Sequence, residues 1–332
     1  MTPEEVADLA TSALARDRLT DHPAGDAIVV DLRRASMAPA PPGLVDALLI
    51  IPRVFVAVTG SCDARPTPGT LAAALDVTVV GDEAAAELAN RVAQAPLAAG
   101  AAAALLRGSE DRSIAAGLVV ESVTYSMLQA GPEHLRWLAG RTPRTRLPQR
   151  GPVVRVAREG NRLLLTLARP QVRNAFDARM REELLAGLLV AAEDETIAEV
   201  VINGEGSSFC SGGDLDEFGS KEDPASAHAL RLARSAGRAI AALSARVTAH
   251  VHGACAGAGV ELPAFAGRVI AAPDTTFRLP ELDMGLVPGA GGTVSLPQRI
   301  GRHRTAWLAL SGRAIDAPTA AAWGLVDEVP PD

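Results

Sequence analysis

Two glutamates in this chain sit where carboxylates are costly. Glu281 lies in 275-TTFRLPELDMGLVPGAGGT-293, among Leu279, Pro280, Leu282 and Met284 and just ahead of a glycine-rich turn. Glu261 follows the small-residue run 254-ACAGAG-259, between Val260 and Leu262. Apolar burial and mutual repulsion raise the pKa of one carboxyl, so one holds a proton near neutrality while the other accepts one. Two such groups flanking a water do general acid and general base work together. Each also has an ordinary reading. Glu261 could be a helix-start glutamate favoured by the helix dipole, and Glu281 a solvated loop carboxylate.

Two glycine-rich loops could serve the same chemistry, 204-GEGSSFCSGGDLDEFG-219 and 254-ACAGAG-259. Each follows a predicted strand and precedes a helix. Unpaired backbone N–H groups point outward there, and glycine lets a ligand approach the main chain. Two N–H groups aimed at one point form an oxyanion hole, worth about 3–4 kcal/mol per donor to a developing negative charge. The plain alternative is a pair of tight strand-to-helix turns. Other chemistries lack their motifs. There is no Gly-Lys-Ser/Thr phosphate cradle, no His-Glu-x-x-His and no Gly-x-Ser-x-Gly, and 257-GAGVEL-262 is only a fragment of a dinucleotide fingerprint. His250 and His252 share one strand face without further ligands nearby in sequence, which favours a hydrogen-bonded structural role and no metal. Cys62, Cys210 and Cys255 have neither metal nor disulfide spacing and read as buried, reduced thiols.

The elements that must position these groups follow an α/β layout. The 332 residues are 48% apolar and only 3% aromatic, so the core is built from Ala, Val, Leu and Ile. The basic, proline-punctuated 141-RTPRTRLPQRGP-152 reads as a linker between residues 1–140 and 153–332. Downstream, 153-VVRVAREGNRLLLTLARP-170 predicts a hairpin, and Asp177 caps a helix over 177–194. A strand over 198–204 follows, then a helix from Pro224 to Ser244. A strand over 247–253, a short helix from Glu261 and a strand over 268–272 complete the alternation. The net charge of −7 argues against nucleic acid. The alanine tracts are too broken for membrane spans, and the acidic opening lacks a signal-peptide pattern, so a cytoplasmic location is expected.

Upstream, strands are expected at 27–32, 53–60 and 76–80, and helices at 82–95 and 116–130. An internal repeat sets 53-RVFVAVTGSC-62 over 246-RVTAHVHGAC-255, and 71-LAAALDVTVV-80 over 262-LPAFAGRVIA-271. Thr70 then falls where Glu261 stands downstream. The match is short and alanine-rich, which leaves coincidence as the other reading.

Five downstream segments, in order, resemble the crotonase superfamily of enoyl-CoA hydratases and isomerases. They are 173-RNAFDARM-180, 208-SFCSGGDLDEF-218, 252-HGACAGAGVEL-262, 279-LPELDMGLVPGAGGT-293 and 300–329. The resemblance implies a ββα-superhelix core with additional helices. It implies oxyanion N–H groups at Gly213 and Ala258 and a catalytic pair, Glu261 as water-orienting base and Glu281 as protonated acid. Arg173, Asn174 and Ala175, with Ser211, Gly212, Asp214 and Leu215 of the first loop, would line the path of coenzyme A. That coenzyme arrives as part of an acyl-CoA substrate, with no other cofactor and no metal. A homo-oligomer, trimer or hexamer, is implied as partner state.

The sequence departs from the family pattern in three ways. Ala258 stands where glycine is usual, which a backbone donor tolerates if φ is negative. Gly267 replaces an aspartate that Asp76 supplies in the upstream copy. The helices that usually follow a segment like 322–332 have a counterpart instead at 82–144, down to Glu133, Trp137 and Arg141. The upstream part thus reads as a degenerate crotonase-like half-unit, lacking the first oxyanion loop and both glutamates. Its helices would close over the active unit of the same chain or a neighbour. Enoyl-CoA hydration is the leading expectation. Double-bond isomerisation, or acyl-CoA binding without turnover, are the alternatives.

Overall fold

The computed structural model describes residues 1–20, 25–60, 65–142, 150–220 and 223–331. Most of the expected linker, together with Cys62, lies outside the described residues. Upstream, the valine-rich segments Ile28–Asp31 (β1), Phe55–Thr59 (β2) and Val77–Val80 (β3) form a parallel sheet in that order. Downstream, Val154–Glu159 (β4) and Arg162–Leu167 (β5) make the antiparallel hairpin, and Glu199–Gly204 (β6) and Val247–Val251 (β7) add in parallel. The chain then leaves the large sheet as Ala254–Ala256 (β8) and returns to it as Arg268–Ala271 (β9), which pairs with β7. It leaves again as Thr276–Arg278 (β10), parallel to β8, and Ile315–Asp316 (β11) closes the small sheet.

Each turn of this spiral therefore lays one strand in the large sheet and one short segment in the small one. The stack extends backward, because Cys210 bridges to Cys255 and Phe176 to Gly213. Equivalent positions of successive turns lie side by side. This periodicity brings together Gly213, Ala258 and Glu281, which are far apart in sequence.

Local chemistry explains the elements and two differences from expectation. Asp177 caps Ala178–Glu193 by accepting from the Met180 N–H at 2.7 Å. The single helix expected over 224–244 is two, Pro224–Ala233 and Ala236–Ala242, because the Ser235 hydroxyl caps the second by accepting from the Arg238 N–H. The helix expected from Glu261 instead runs Ala258–Glu261 and ends there, two residues before Pro263.

The helices Gly81–Gln94, Pro96–Arg107, Ile114–Gln129 and Pro132–Ala139 fold back over the downstream part of the same chain. One hydrophobic cluster contains Val56, Val79, Ala99 and Leu105 from upstream with Leu282, Leu286 and Leu310 from downstream. The two parts thus share a core. Arg302 donates to the carbonyls of Ala73 and Leu75 at the end of the upstream helix Leu71–Ala74, tying the two sequence halves again.

The repeat has a structural echo, since β2–β3 and β7–β9 are both parallel neighbours. Their registers differ by one residue. Val56 pairs with Val77, whereas its counterpart Ala249 pairs with Val269 rather than Arg268. Thr70 caps a helix, its hydroxyl accepting from the Ala73 N–H. Asp76 accepts from the Phe55 N–H at 2.7 Å and pairs with Arg107 at 2.6 Å, both side chains almost wholly buried. At the matching place downstream, the Gly267 N–H donates to the Ser244 carbonyl at 2.9 Å, and a Cβ there would collide with that oxygen. Packing leaves no room for an aspartate at this position.

Candidate active site

A cavity of about 430 Å³ lies between the downstream loops and the helix Ile114–Gln129, called here the roof helix. Gly213, Ala258, Glu261 and Glu281 all line it. Among the described residues, neither the Gly213 nor the Ala258 N–H donates a hydrogen bond. Both flanking bonds on the first loop are taken, with Phe176 N–H on the Gly212 carbonyl and Asp214 N–H on Phe176, so the Gly213 amide turns away from the ladder. Ala258 opens its short helix, where the first N–H has no intrahelical acceptor. Its φ is not among the positive ones, so the methyl group is compatible with this conformation.

Gly257 precedes it at φ 48° and ψ −119°, a conformation open to glycine alone. A Cβ on Gly257 would also stand 2.5 Å from Glu281 Oε1. One residue thus aims the Ala258 amide and leaves room for the Glu281 carboxyl. The first loop is held from below by Arg169, which pairs with Asp214 at 3.0 Å and Asp177 at 2.8 Å and donates to the Ala175 carbonyl.

The two glutamates differ in their partners. Glu261 Oε2 accepts from the N–H groups of Ala290 and Gly292, both at 2.8 Å. Glu281 Oε2 is buried with no partner among the described residues. Burial pushes the Glu261 carboxyl up to about 7, against those two hydrogen bonds. Burial, and then the charge of Glu261, hold Glu281 well above the usual carboxylate range. The arrangement offers one proton kept and one proton-accepting group beneath two free amides.

The family model described as enoyl-CoA hydratase/isomerase matches residues 158–332. The chain belongs to this family. It is 37% identical over 176 residues to 2,3-dehydroadipyl-CoA hydratase of Escherichia coli (strain K12), covering 53% of this chain and 68% of that one. It is 35% identical over 169 residues to trans-2-decenoyl-[acyl-carrier-protein] isomerase of Streptococcus mutans, covering 50% and 64%. A crystal structure of enoyl-CoA hydratase from Mycobacterium smegmatis superposes with a TM-score of 0.51 at 31% identity, over 54% of this chain and 70% of that chain. The chain thus spans about two-thirds of the length of the curated relatives it matches. The match begins at residue 158, so the upstream part stands on its own geometry.

Of the other residues singled out from family resemblance, Ser211, Gly212, Asp214 and Leu215 line the cavity, and Arg173, Asn174 and Ala175 do not. Asn174 is wholly buried and spent on bracing the loop. Its Nδ2 donates to the carbonyls of Glu205 and Ser208, and its Oδ1 accepts from the Arg169 N–H. His252 Nε2 meets the Gly206 carbonyl at 2.9 Å, and Cys210 and Cys255 are buried and free. Among the described residues no group of His, Cys, Asp or Glu is arranged for a metal ion, and no helix is long and apolar enough to cross a membrane.

In this enoyl-CoA hydratase/isomerase family member the sequence pointed to upstream helices closing over the active unit, but none of the roof's side chains was singled out. Glu121, Tyr125 and Ser122 of the roof helix line the cavity, with Arg231 beside them. Arg231 lies over the Tyr125 ring, 4.7 Å from its centre. Burial, with the charge of Glu261, pushes Glu121 up to about 8, against hydrogen bonds from Thr293 and Gly291. A signal was present. Glu121 is the only charged residue in the helix Ile114–Gln129, and the chain's single tyrosine stands one helical turn later on the same face.

Proposed function

We propose that this chain adds water across the double bond of a 2-enoyl-CoA thioester. One observation carries the reading. Two buried carboxyls line the same cavity as two unpaired amides. In this mechanism the thioester oxygen accepts from the Gly213 and Ala258 N–H groups, which stabilise the charge that develops on it. Glu261 orients a water and takes its proton as the water oxygen bonds to the β-carbon. Glu281, kept protonated by burial and by its neighbour, gives its proton to the α-carbon. The pair's proton count is unchanged by the addition, and after product release the proton on Glu261 passes to Glu281 through solvent. Coenzyme A enters with the substrate, and the roles of Ser211, Gly212, Asp214 and Leu215 are to wall its thioester end.

The experiment is a screen with crotonyl-, longer enoyl- and aryl-enoyl-CoA, following loss of the conjugated enoyl absorbance. Turnover that disappears in Glu261→Gln supports the pair. No turnover with any enoyl-CoA, with the thioester still bound, supports the non-catalytic acyl-CoA-binding reading instead.

A second reading, double-bond isomerisation, is favoured by one observation. Glu261 Oε2 is tied to two amides, whereas Glu281 Oε2 is buried without a partner among the described residues. A single carboxyl suffices to shuttle one proton between carbons. Product analysis on 2-enoyl and 3-enoyl thioesters separates the two. The trimer or hexamer implied by family resemblance is part of this proposal and is checked by light scattering.

A further inference from the structure

We infer that Glu121, carried by the upstream part of the chain, is a positioning residue of the catalytic centre, because it divides the four consecutive amides of residues 290–293 with Glu261 and so fixes where Glu261 stands. This rests on the reading of Glu261 and Glu281 given above. The four N–H groups alternate between two carboxylates. Those of Ala290 and Gly292 donate to Glu261 Oε2, and those of Gly291 and Thr293 donate to Glu121 Oε1 and Oε2, all at 2.8 Å. The Thr293 hydroxyl adds a further bond to Glu121 Oε2 at 2.7 Å.

This turn opens the helix Gly292–Ile300, where N–H groups without intrahelical acceptors collect. Held by Glu261 alone, it would leave two buried donors unpaired, and such groups pull a turn into another conformation. Glu121 reaches the turn through a close approach of helices. Gly117, one turn earlier on the same face, packs against Val294, and a Cβ there would stand 2.8 Å from the Val294 Cγ2.

Several charged or titratable groups face Glu121 or its neighbours. Glu261 and Glu281 share the cavity, and Tyr125 stands on its own helix. Arg231 and His228 come from Pro224–Ala233, and both contact the Ser122 hydroxyl. Arg278 acts on Glu281. The charge of Glu121 adds to that of Glu261 in keeping a proton on Glu281. Loss of Glu121 therefore has two separable effects. Glu261 loses its fixed mount, and Glu281 gives up its proton at lower pH.

The test uses the full chain and two variants. Glu121→Gln keeps the size, removes the charge and turns an NH₂ group toward amide donors. Thr293→Val removes one donor to Glu121, so Glu121 keeps its proton longer and faces Glu281 with less charge. For Glu121→Gln, kcat is expected to fall about 10–100-fold with KM little changed. The alkaline limb of the pH–rate profile should move to lower pH by about one unit. Thr293→Val should move the same limb in the same direction by less. Isotope-edited infrared titration of the glutamate carboxyls, without substrate, should show the last protonated carboxyl disappearing at lower pH in both variants. That readout needs no turnover. A shifted infrared titration in a protein inactive on every enoyl-CoA would support the coupling and overturn the hydratase reading alone. Folded variants with a lower melting temperature but an unmoved alkaline limb and unmoved infrared titration would make Glu121 a structural clamp only and overturn the inference. If Glu121→Gln does not fold, Thr293→Val decides on the same two readouts.

Discussion

Holding protons on buried carboxyls should destabilise this fold as pH rises. The three glutamates share an ordinary value of 4.5, and folding raises Glu261 to about 7, Glu121 to about 8 and Glu281 well above its ordinary range, burial being the first cause for each. The folded chain therefore binds more protons than the unfolded one. By linkage this contribution is fully present below the unfolded value and is lost as pH rises through the folded values. At pH 7.5 Glu121 mostly keeps its proton and Glu261 partly does, an excess of about one proton from these two, and the raised Glu281 acts in the same direction. The slope from these two is a loss of about 1.4 kcal/mol per pH unit, and Glu281 steepens it. That is appreciable against a typical total stability of about 5–15 kcal/mol. Below pH 6.5 the histidines act in the opposite sense. Burial lowers His303 to about 4 and also lowers His134 and His250, so the unfolded chain takes up protons that the folded one refuses. The thiols of Cys210 and Cys255, pushed up from 9.0 by burial, add to the loss only at the alkaline end. The clean window is pH 7 to 8.5. Urea unfolding midpoints across it, at fixed ionic strength, read the slope directly. Glu121→Gln and Glu281→Gln should each flatten it, by up to one proton or about 1.4 kcal/mol per pH unit. A wild-type stability that is flat or rises across this window would refute the proton-holding trio.

Three further outcomes are expected. Glu281→Gln should lower kcat by about 10²–10⁴-fold, and Glu261→Gln should abolish hydration, whereas full hydration by the Glu261 variant would refute the pair. Gly257→Ala places a methyl against Glu281 Oε1 in a backbone conformation reserved for glycine, so it should cost about 1–3 kcal/mol in unfolding free energy as well as activity, and an unchanged melting curve would contradict the geometry. Deleting residues 1–145 removes Glu121 and the upstream share of a common core, so the fragment should be inactive and poorly soluble, and a soluble, fully active fragment would refute the roof's role.

Much of the downstream fold was legible because its signals are local. The hairpin, the Asp177 cap and the parallel strands each follow from alternation or a capping residue within a short window. The break at Ser235 was missed because a serine inside an apolar-periodic run reads as tolerated until its hydroxyl is seen capping a new helix. The stacked loops that bring Gly213, Ala258 and Glu281 together came from resemblance, since no local pattern encodes which turns of a spiral adjoin. Asn174 was assigned to the coenzyme path on the same basis. The structure spends its amide on three backbone groups, a satisfaction that only tertiary context reveals.

Glu121 shows what was readable yet unread. A lone carboxylate in an apolar helix raises the same question as Glu281, and the answer lies in what the upstream part retains. Among the described residues its sheet presents no counterpart of Glu261 or Glu281, and Thr70 caps a helix. It does keep the buried Asp76–Arg107 pair, in which Arg107 also donates to the carbonyls of Leu48, Ile51 and Arg53. Arg107 ends the helix that leads into the roof helix. A buried pair of this kind is poor evidence for stability, since apolar side chains of equal volume often do as well, but it does fix geometry. The upstream part is thus a mount. Its sheet anchors Arg107, Arg107 sets the helices, and the helices deliver Glu121 and Tyr125 to a cavity built by the other half of the chain. On this argument Asp76→Asn, remote from the cavity, should loosen the roof and lower kcat through Glu121, and normal kcat with only a lowered melting temperature would break the chain of reasoning at that step.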